Sequence, residues 1–370
     1  MKRAVLVAAH YIDSPRRAGF HWIANALRRQ GWHVTFVTVG FSQLSRLRPG
    51  SDHRFGYGIL RQAGRPVELA PDLVSYVWFT LFHPLNRLPA IGNTLAAPLF
   101  RRYGSLPMPG IEPLVHAADL IIFESTSGLM LFDRFHAWAP RARFVYRMSD
   151  DLRLLRAHPV VLETEGRILP EFDLVSVPSS SMLARFAGHQ NVMFHPHGIE
   201  TAPFDEPNED PYDRSRAGHA IFVGTAHLDR TFLDVAARDF PAWDFHVVGP
   251  FDSLPDRPNV LAHGELPFSE TVPYIVHADV GLATLEHVPG AETLRDSLKV
   301  VQYTYARLPI VAPDFMASNR TNLFLYHPGD DASIRGAMTA AAQSDRSAIS
   351  REGIWSWDDL ARVLAGDGSQ

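Results

Sequence analysis

"RAVLVAAHYIDSPRRAGFHWIANALRRQGWHVTFVTV", residues 3–39, shows the alternation of strand and helix patterns from which the rest of the chain can be interpreted. The apolar run at 3–9 has the length and composition of a buried strand, and a second such run follows at 33–39. Between them, Ser14 can cap a helix that has Pro15 at its first position, and a glycine can end that helix. A strand, a helix and another strand in this order predict an α/β unit built around a parallel sheet.

The same alternation continues along the chain, with one break at 201–218. That break, "TAPFDEPNEDPYDRSRAG", is rich in proline and aspartate and has no period, which is typical of a linker or a long loop. Further strands are predicted at 119–125, 143–148, 173–178, 219–225, 244–249, 259–266, 279–285 and 308–313. Helices are predicted near 230–239, 269–277 and 295–306 in the second half.

Two α/β halves joined by a linker predict two Rossmann-like domains that face each other across a central cleft. In open parallel sheets ligands bind at the carboxyl ends of the strands, so the cleft is the expected site. The predicted organisation is a first domain at 1–200, the linker at 201–218, a second domain at 219–345, and a C-terminal segment at 346–370 that can pack back on the first domain.

The composition is that of a soluble, globular chain. Its 370 residues are enough for two domains with separate cores, and 46 % of them are hydrophobic. Cysteine is absent, so disulfides play no part and a reducing compartment is the simplest interpretation. Without a run of about twenty apolar residues, no membrane-spanning helix is expected. The N-terminal apolar run suits a first strand better than a signal peptide.

The net charge of −5 conceals an asymmetry between the two halves. Residues 1–110 contain fourteen Lys and Arg against four Asp and Glu, a balance of +10, so the remainder carries −15. A basic half suits an anionic surface. The sequence contains no recognised nucleic-acid-binding motif, so an anionic membrane leaflet is the better expectation.

The stretch at 73–104, "LVSYVWFTLFHPLNRLPAIGNTLAAPLFRRYG", agrees with that expectation. It combines aromatic and apolar residues with arginines and contains no acidic residue. Such a combination is typical of a surface that lies in a membrane interface. The alternative is a buried helix pair of the first domain. The residues that define the pattern are Tyr76, Trp78, Phe79, Phe82, Phe100, Arg87, Arg101 and Arg102.

Lys299 is one of only two lysines in a chain that contains 35 Lys and Arg, the other being Lys2. It lies near the start of a predicted helix that follows a strand. Exposed N–H groups at such a helix start favour an anion, and a lysine adds a compact positive charge, which would suit a diphosphate. The alternative is a surface ion pair with Asp296, three positions earlier on the same helix.

Asp150 and Asp151 follow the strand predicted at 143–148. A carboxylate at the carboxyl end of a strand can act as a general base if it faces the cleft and a bound hydroxyl. The alternative is that Asp150 or Ser149 only caps a helix that follows.

Other polar positions give weaker signals. "FVGTAHLD" at 222–229 resembles a nucleotide-approach loop, but it has a single glycine. Glu286 and Glu292 bracket a loop at a strand end and can either bind sugar hydroxyls or be solvated. His195 and His197 lie without a matched set of Cys or carboxylate ligands, so no zinc site is predicted there.

Together these pieces resemble the GumK glucuronosyltransferases, glycosyltransferase family 70. The likeness spans most of the chain in order. The stretches that carry it are "PRRAGFHWI" (15–23), "FHPLNR" (82–87), "LIIFES" (120–125), "FVYRMSD" (144–150), "HGIE" (197–200), "VGTAHLD" (223–229), "DFHVVG" (244–249) and "DSLKVVQYTYARLPIV" (296–311).

The resemblance implies a GT-B fold and an inverting enzyme that needs no metal ion and no other cofactor. That family transfers glucuronic acid from UDP-glucuronate to a mannose on a polyprenyl-diphosphate-linked oligosaccharide in exopolysaccharide assembly. It implies a peripheral protein at the cytoplasmic face of the inner membrane. The first domain would then bind the lipid-linked acceptor and the anionic membrane surface, and the second domain the nucleotide sugar, with no nucleic acid as partner.

The resemblance also assigns roles to individual residues. The family's catalytic aspartate in "YRxSD" falls on Asp150. Its nucleotide-binding lysine and glutamine in "SxKxxQY" fall on Lys299 and Gln302, with Ser297 beside them. The glutamate of its "GE" segment falls on Glu265, where it would contact the ribose or the base.

Other positions depart from the family pattern. Ala226 and Leu298 stand where the family has methionines near the nucleotide, and Thr284 stands where it has a tyrosine. Thr225, Ala226 and Leu298 complete the expected nucleotide-sugar-binding set. The departures fall on the contacts to the donor sugar and base.

The expected reaction is therefore a transfer in which Asp150 takes the proton of an acceptor hydroxyl and Lys299 stabilises the departing diphosphate. Two other functions fit the same residues. One is a UDP-sugar epimerase of the same two-domain fold, which would need no lipid acceptor. The other is a non-catalytic sugar-nucleotide-binding protein, in which Asp150 is only a helix cap.

Overall fold

The computed structural model describes residues 1–14, 17–46, 59–86, 90–289 and 291–367. The chain forms two compact units. The first unit contains Met1–Pro196 and, in addition, the chain from Trp357 onward. The second unit contains His197–Ser356. Pro15 and Arg87, which the sequence analysis singled out, lie outside the described residues.

The first unit is built on a sheet in which eight strands are described, in the order β3-β4-β2-β1-β5-β6-β7-β8. The described pairs are parallel except β3 with β4, which is antiparallel. The strands are β1 Arg3–Ala8, β2 His33–Ser42, β3 Pro66–Ala70, β4 Leu73–Thr80, β5 Leu120–Glu124, β6 Arg143–Arg147, β7 Leu174–Val177 and β8 Val192–Phe194. The strands between β4 and β7 run through the interior as apolar segments, as expected of a parallel sheet covered on both faces, whereas the edge strands β3 and β8 are largely exposed.

Helices lie between these strands. They are α1 Gly19–Arg29, α2 Gln43–Arg46, α3 Ala90–Phe100, α4 Glu112–His116, α5 Phe132–Trp138 and α6 Pro159–Ile168. The predicted start of α1 was wrong: the helix begins at Gly19 and not near Ser14, whose N–H donates to the Tyr11 carbonyl 2.9 Å away. The buried His21 takes the capping role, because its Nδ1 accepts from the Ala18 N–H at 3.0 Å. A histidine side chain thus replaces the expected serine.

Strand β4 corrects the interpretation of the aromatic stretch at 73–104. Its Tyr76 is fully buried, its Trp78 is 1 % exposed, and the Trp78 indole donates to the Pro107 carbonyl at 3.0 Å. Phe82 and Phe100 are buried as well. These aromatic side chains form part of the core and cannot lie in a membrane interface. The alternative of a helix pair is also wrong, because the described part of residues 73–104 contains a strand and one α-helix. A buried strand rich in aromatic residues and a surface in a membrane interface have the same apolar, acid-free composition, so composition alone does not distinguish them.

The second unit contains a sheet of six described strands in the order β12-β11-β10-β13-β14-β15, all of them parallel. The strands are β10 Gly218–Val223, β11 Trp243–Val248, β12 Val260–Gly264, β13 Val280–Leu282, β14 Ile310–Pro313 and β15 Leu323–Tyr326, after a short β9 at Gly198–Ile199. The helices are α7 Ala202–Asp205, α8 Arg230–Asp239, α9 Phe268–His277, α10 Leu298–Tyr305 and α11 Asp331–Ala342. A 3₁₀ segment, Ala291–Asp296, precedes α10.

The stretch at 201–218 contributes to the second unit. Phe204 and Tyr212 are buried in the core of that unit, and the Tyr212 ring stacks on His219 with centroids 4.4 Å apart. At the C-terminal end of the second unit, β16 Trp355–Ser356 pairs with β9 at its start. The assignment of functionally distinct domains and of a linker to these ranges stays a prediction.

The last helix, α12 Trp357–Ala365, returns to the first unit. Its Trp357 ring packs against Gly19 of α1, and Asp358 pairs with Arg29 at 2.9 Å. Farther along, the Leu364 carbonyl accepts from Arg143 Nε at 3.1 Å. The first unit is therefore assembled from both ends of the sequence.

Within the described residues, every helix is too short or too polar to cross a membrane.

Candidate functional site

Asp150 lies at the carboxyl end of the first unit's sheet, three residues after β6. The neighbouring strand β5 ends at Glu124, and Ser125 follows it. The Ser125 hydroxyl oxygen accepts from the backbone N–H of Ser149 at 2.9 Å and of Asp150 at 3.2 Å. One side chain from the end of β5 thus fixes the backbone that presents Asp150.

A second carboxylate, Glu124, lies beneath this loop. It is 4 % exposed, and its oxygens accept from the Ala9 N–H and from the Ser149 hydroxyl, both at 2.9 Å. His10 Nε2 lies 3.9 Å from the same carboxylate. Glu124 is therefore held by the loops that follow β1 and β6, and it places a negative charge close to Asp150.

The pKa of Asp150 is raised, mainly by burial and then by the charge of Glu124. Its carboxylate accepts no hydrogen bond from the part of the chain that the structure describes. A carboxylate with a raised pKa and no fixed partner is a better proton acceptor than an ordinary aspartate. Sequence reasoning missed Glu124 and His10. The sequence does contain a signal for Glu124, because adjacent parallel strands end at the same edge of a sheet. That places "FES" (123–125) beside "MSD" (148–150).

The alternative role of Asp150 or Ser149 as a helix cap is wrong. No helix begins there: the next one, α6, starts at Pro159, and its cap is His158, whose Nδ1 accepts from the Val160 N–H at 3.3 Å. Asp151 has a structural role instead, because it pairs with Arg185 at 2.6 Å.

In the second unit, Lys299 lies in the first turn of α10. Its Nζ sits 3.9 Å from the centroid of the Phe222 ring at the end of β10. Burial lowers the pKa of Lys299 to about 7, although the side chain keeps some contact with solvent. Among the described residues the ammonium has no carboxylate partner. The expected alternative, an ion pair with Asp296, is not formed, since Asp296 lies 3.7 Å from Arg320.

Two glycines let the backbone approach this ammonium closely. A Cβ on Gly224 would lie 2.8 Å from Lys299 Nζ and 2.9 Å from the Phe222 ring, so the glycine lets the amine and the ring lie against the backbone there. Gly249, with φ of 149°, lies so close to Gly224 that a Cβ would come within 1.9 Å of the Gly224 carbonyl oxygen. Its N–H donates to the Gly264 carbonyl at 2.8 Å. The ends of β10, β11 and β12 are thus drawn together beside Lys299.

Unsatisfied hydroxyl groups mark the same unit. Ser297 is the N-cap of α10, but its hydroxyl makes no capping bond. Its Oγ and the Oγ1 of Thr284 are buried without a hydrogen-bond partner among the described residues. Buried hydroxyls are normally paired, so a ligand with acceptor atoms would complete them. Thr284, which stands at the family's tyrosine position, thus has its own polar group available.

The remaining predicted nucleotide contacts lie around this strand edge. Thr225 and Ala226 are exposed in the loop after β10, and Glu265 is exposed directly after β12. Leu298 is half-buried at the start of α10, and Gln302 is buried one turn after Lys299. The structure thus gathers these residues in the second unit, whereas Asp150 belongs to the first.

Two weaker candidates have ordinary structural surroundings. Glu286 is exposed and pairs with Arg230 at 3.4 Å, as the solvated alternative requires. His195 Nδ1 lies 3.1 Å from the Ser176 hydroxyl, and burial lowers its pKa to about 4.

Solved structures share this architecture at low sequence identity. An α,α-trehalose-phosphate synthase (UDP-forming) from Burkholderia xenovorans has a TM-score of 0.64 and 14% identity, with 98% of this chain and 99% of that chain covered. The Anabaena protein HepE in complex with UDP has a TM-score of 0.57 and 14% identity, with 99% and 95% covered. At such identity the likeness shows the fold alone. The fold is that of the GT-B class of glycosyltransferases.

Within that class the chain is GumK-like. Residues 6–178 match the family model of the N-terminal domain of glucuronosyltransferase GumK. The UDP-glucuronate:glycolipid 2-beta-glucuronosyltransferase of Xanthomonas campestris pv. campestris is 29% identical over 365 residues, which cover 97% of this chain and 88% of that protein. Neither match favours the epimerase or the non-catalytic binding protein.

Proposed function

We propose that this protein is an inverting glucuronosyltransferase. It moves glucuronic acid from UDP-glucuronate to a sugar hydroxyl of a polyprenyl-diphosphate-linked oligosaccharide during exopolysaccharide synthesis. The observation that carries the transferase chemistry is the ammonium of Lys299, which lies over Phe222 and against Gly224 without a carboxylate partner among the described residues. The name of the Xanthomonas relative supports the identity of the donor and of a glycolipid acceptor.

Asp150 is the general base of the proposed reaction. Its carboxylate takes the proton of the acceptor hydroxyl while the hydroxyl oxygen bonds to the anomeric carbon of the donor. The bond from that carbon to the UDP oxygen breaks on the opposite face, and UDP leaves with the electron pair. The configuration is thereby inverted. The raised pKa of Asp150 strengthens it as a base, and Ser125 holds its backbone in place.

Lys299 neutralises the charge that develops on the departing diphosphate. The free N–H groups at the start of α10 point in the direction that favours an anion, and the unpaired Ser297 hydroxyl adds a donor. Because these groups supply the positive potential, the reaction needs no metal ion. Thr225, Ala226, Leu298, Gln302 and Glu265 surround the remainder of the nucleotide sugar, as the family pattern suggests.

The test of the catalytic role is Asp150→Asn. UDP release is measured with UDP-glucuronate in the presence and absence of the lipid-linked acceptor, and UDP binding by thermal shift. We expect acceptor-dependent release to fall about 10²–10⁴-fold, the contribution typical of a general base, with the UDP shift retained. Asp133→Asn, at an exposed surface pair with Arg167, is the matched control and should retain activity. Substantial turnover by Asp150→Asn would reject the assignment.

The first unit also offers a surface for the membrane that holds such an acceptor. On α3, Ile91 is 78% exposed and Leu95 77%, and Leu99 is exposed on the same helix face. Arg101 follows directly at the end of that helix. Apolar side chains beside arginine suit the boundary between acyl chains and anionic headgroups, at the cytoplasmic face of the inner membrane.

Sedimentation with vesicles that contain anionic lipid tests this surface. Leu95→Glu should reduce the bound fraction, because a carboxylate would be forced into the headgroup region. Leu325→Glu alters an exposed leucine of the second unit and serves as the control. Equal binding by both variants would exclude α3 as the contact surface.

A further inference from the structure

Three histidines and an aspartate share one face of the second unit's sheet. His219 is the second residue of β10 and pairs in register with Asp244, the second residue of β11. His246 follows Asp244 by two positions and therefore lies on the same face of β11. His263, on β12, completes the group. None of them has a part in the proposed transfer.

The distances within this group suit a metal ion. His219 Nδ1 and His246 Nε2 are 3.2 Å apart. Two nitrogens that bind one tetrahedral zinc ion at 2.0–2.1 Å are about 3.3 Å apart, so the spacing is close to that of a ligand pair. One oxygen of Asp244 and one nitrogen of each of these histidines all lie within 4.8 Å of one another. We infer that His219, His246 and Asp244 bind a divalent transition-metal ion of the zinc type.

The outer atoms of both histidines are held as metal ligands require. His219 Nε2 lies 3.0 Å from the Asp213 carbonyl oxygen, which can only accept, so Nε2 carries the proton and Nδ1 has a free lone pair. His246 Nδ1 lies 3.0 Å from His263 Nε2. If Nδ1 donates there, Nε2 of His246 is free for the ion. Such outer partners fix the tautomer and orientation of ligating histidines.

Without the ion, the ring nitrogens of these three histidines have hydrogen-bond partners in one another and in neighbouring groups. His246 Nε2 then donates to His219, His263 donates to His246, and Tyr274 can donate to His263 Nδ1 at 3.4 Å. To bind the ion, His246 and His263 must each carry their proton on the other ring nitrogen. The total charge of the three imidazole rings does not change. His263 and Tyr274 are thus positioning residues, not ligands.

The site would be structural and not catalytic. His219 lies at the amino end of β10, five positions before Gly224, which is about 16 Å along an extended strand. Asp244 also accepts from Arg216 Nε at 2.9 Å through one oxygen, which leaves the other for the ion. An ion here would tie β10 to β11, in a part of the sheet remote from Lys299. The inference is independent of the proposed transferase activity.

The experiment uses the full chain without a histidine tag. Zinc binding is measured by equilibrium dialysis with elemental analysis, and the site is probed optically with Co²⁺. We expect one tightly bound ion per chain, lost in His246→Gln and in Asp244→Asn. His263→Gln should weaken binding about 10–100-fold, as the loss of an outer-shell partner does. His116→Gln, an exposed histidine of the first unit, should leave binding unchanged.

Circular dichroism of each variant separates loss of the site from loss of the fold, and Asp244→Asn removes a ligand while leaving both histidines in place. The inference is overturned if the native chain takes up no stoichiometric zinc. It is equally overturned if a folded His246→Gln or Asp244→Asn chain binds the ion as tightly as the native chain.

Discussion

Raising the pH from 7 to 8 should weaken the binding of a UDP-sugar to this protein. Burial lowers the pKa of Lys299 to about 7 in the free protein, and a bound diphosphate favours the charged form. Half of the lysines are charged at pH 7 and about a tenth at pH 8, so the affinity should fall about fivefold over this step and approach tenfold per further pH unit. Below pH 7 the affinity should level off.

The assay is titration calorimetry with UDP-glucuronate between pH 6 and 8.5. Lys299→Arg is the matched variant, because a guanidinium stays charged over the whole range and should therefore remove the pH dependence. Its planar fork fits the space beside Gly224 less well, so we expect weaker binding overall. Lys299→Met, which keeps the bulk without the charge, should lose about ten- to hundredfold in affinity at pH 7.

Two results would refute this reasoning. One is a dissociation constant for the native chain that does not change between pH 7 and 8.5. The other is an equal slope in the native chain and in Lys299→Arg. Either would mean that the ammonium of Lys299 is not the partner of the diphosphate, and both can be obtained without any acceptor.

Three further changes test other contacts. Glu124→Gln removes the negative charge that helps to raise the pKa of Asp150, so the acid limb of the pH profile of kcat/KM should move to lower pH. An unchanged acid limb would show that Glu124 does not influence the pKa of the catalytic carboxylate. Tyr303→Phe leaves the partly buried Val223 N–H, which lies 2.9 Å from the phenol oxygen, without an acceptor, and should lower the free energy of unfolding by about 1–3 kcal/mol in denaturant titration. Trp357→Ala should cost about 3–5 kcal/mol, because the ring is 1% exposed; a loss below 1 kcal/mol would show that the last helix contributes little.

Local patterns were sufficient for much of the sheet and several helices. The helices predicted near 230–239 and 269–277 are observed at Arg230–Asp239 and Phe268–His277. In both, amphipathic spacing and nearby turn residues agree. The strand at 73–80 was missed because a buried strand and an interfacial surface share the same apolar, acid-free composition. The start of α1 was misplaced because its cap is a histidine within the helix, a choice made by the tertiary position of His21.

Some residues of the candidate site could likewise be predicted from the sequence, and others could not. Asp150 and Lys299 could be singled out because each follows a strand in a short recognisable segment. Glu124 is harder to single out, since its role depends both on β5 lying beside β6 and on the Ala9 N–H donating to its carboxylate, and only the first of these can be inferred from the order of the strands. The unpaired hydroxyl of Ser297 is equally invisible in the sequence, because whether a serine caps its helix is decided by geometry.

The return of α12 to the first unit has a consequence for biosynthesis. The ribosome makes the partners of this helix, including α1, long before the helix itself, and the whole second unit is synthesised in between. At 5–20 residues per second that interval is roughly ten to thirty seconds. During it the surface of the N-terminal unit that later packs against Trp357, Leu360 and Leu364 of α12 stays uncovered, and a chain whose translation stops early never covers it.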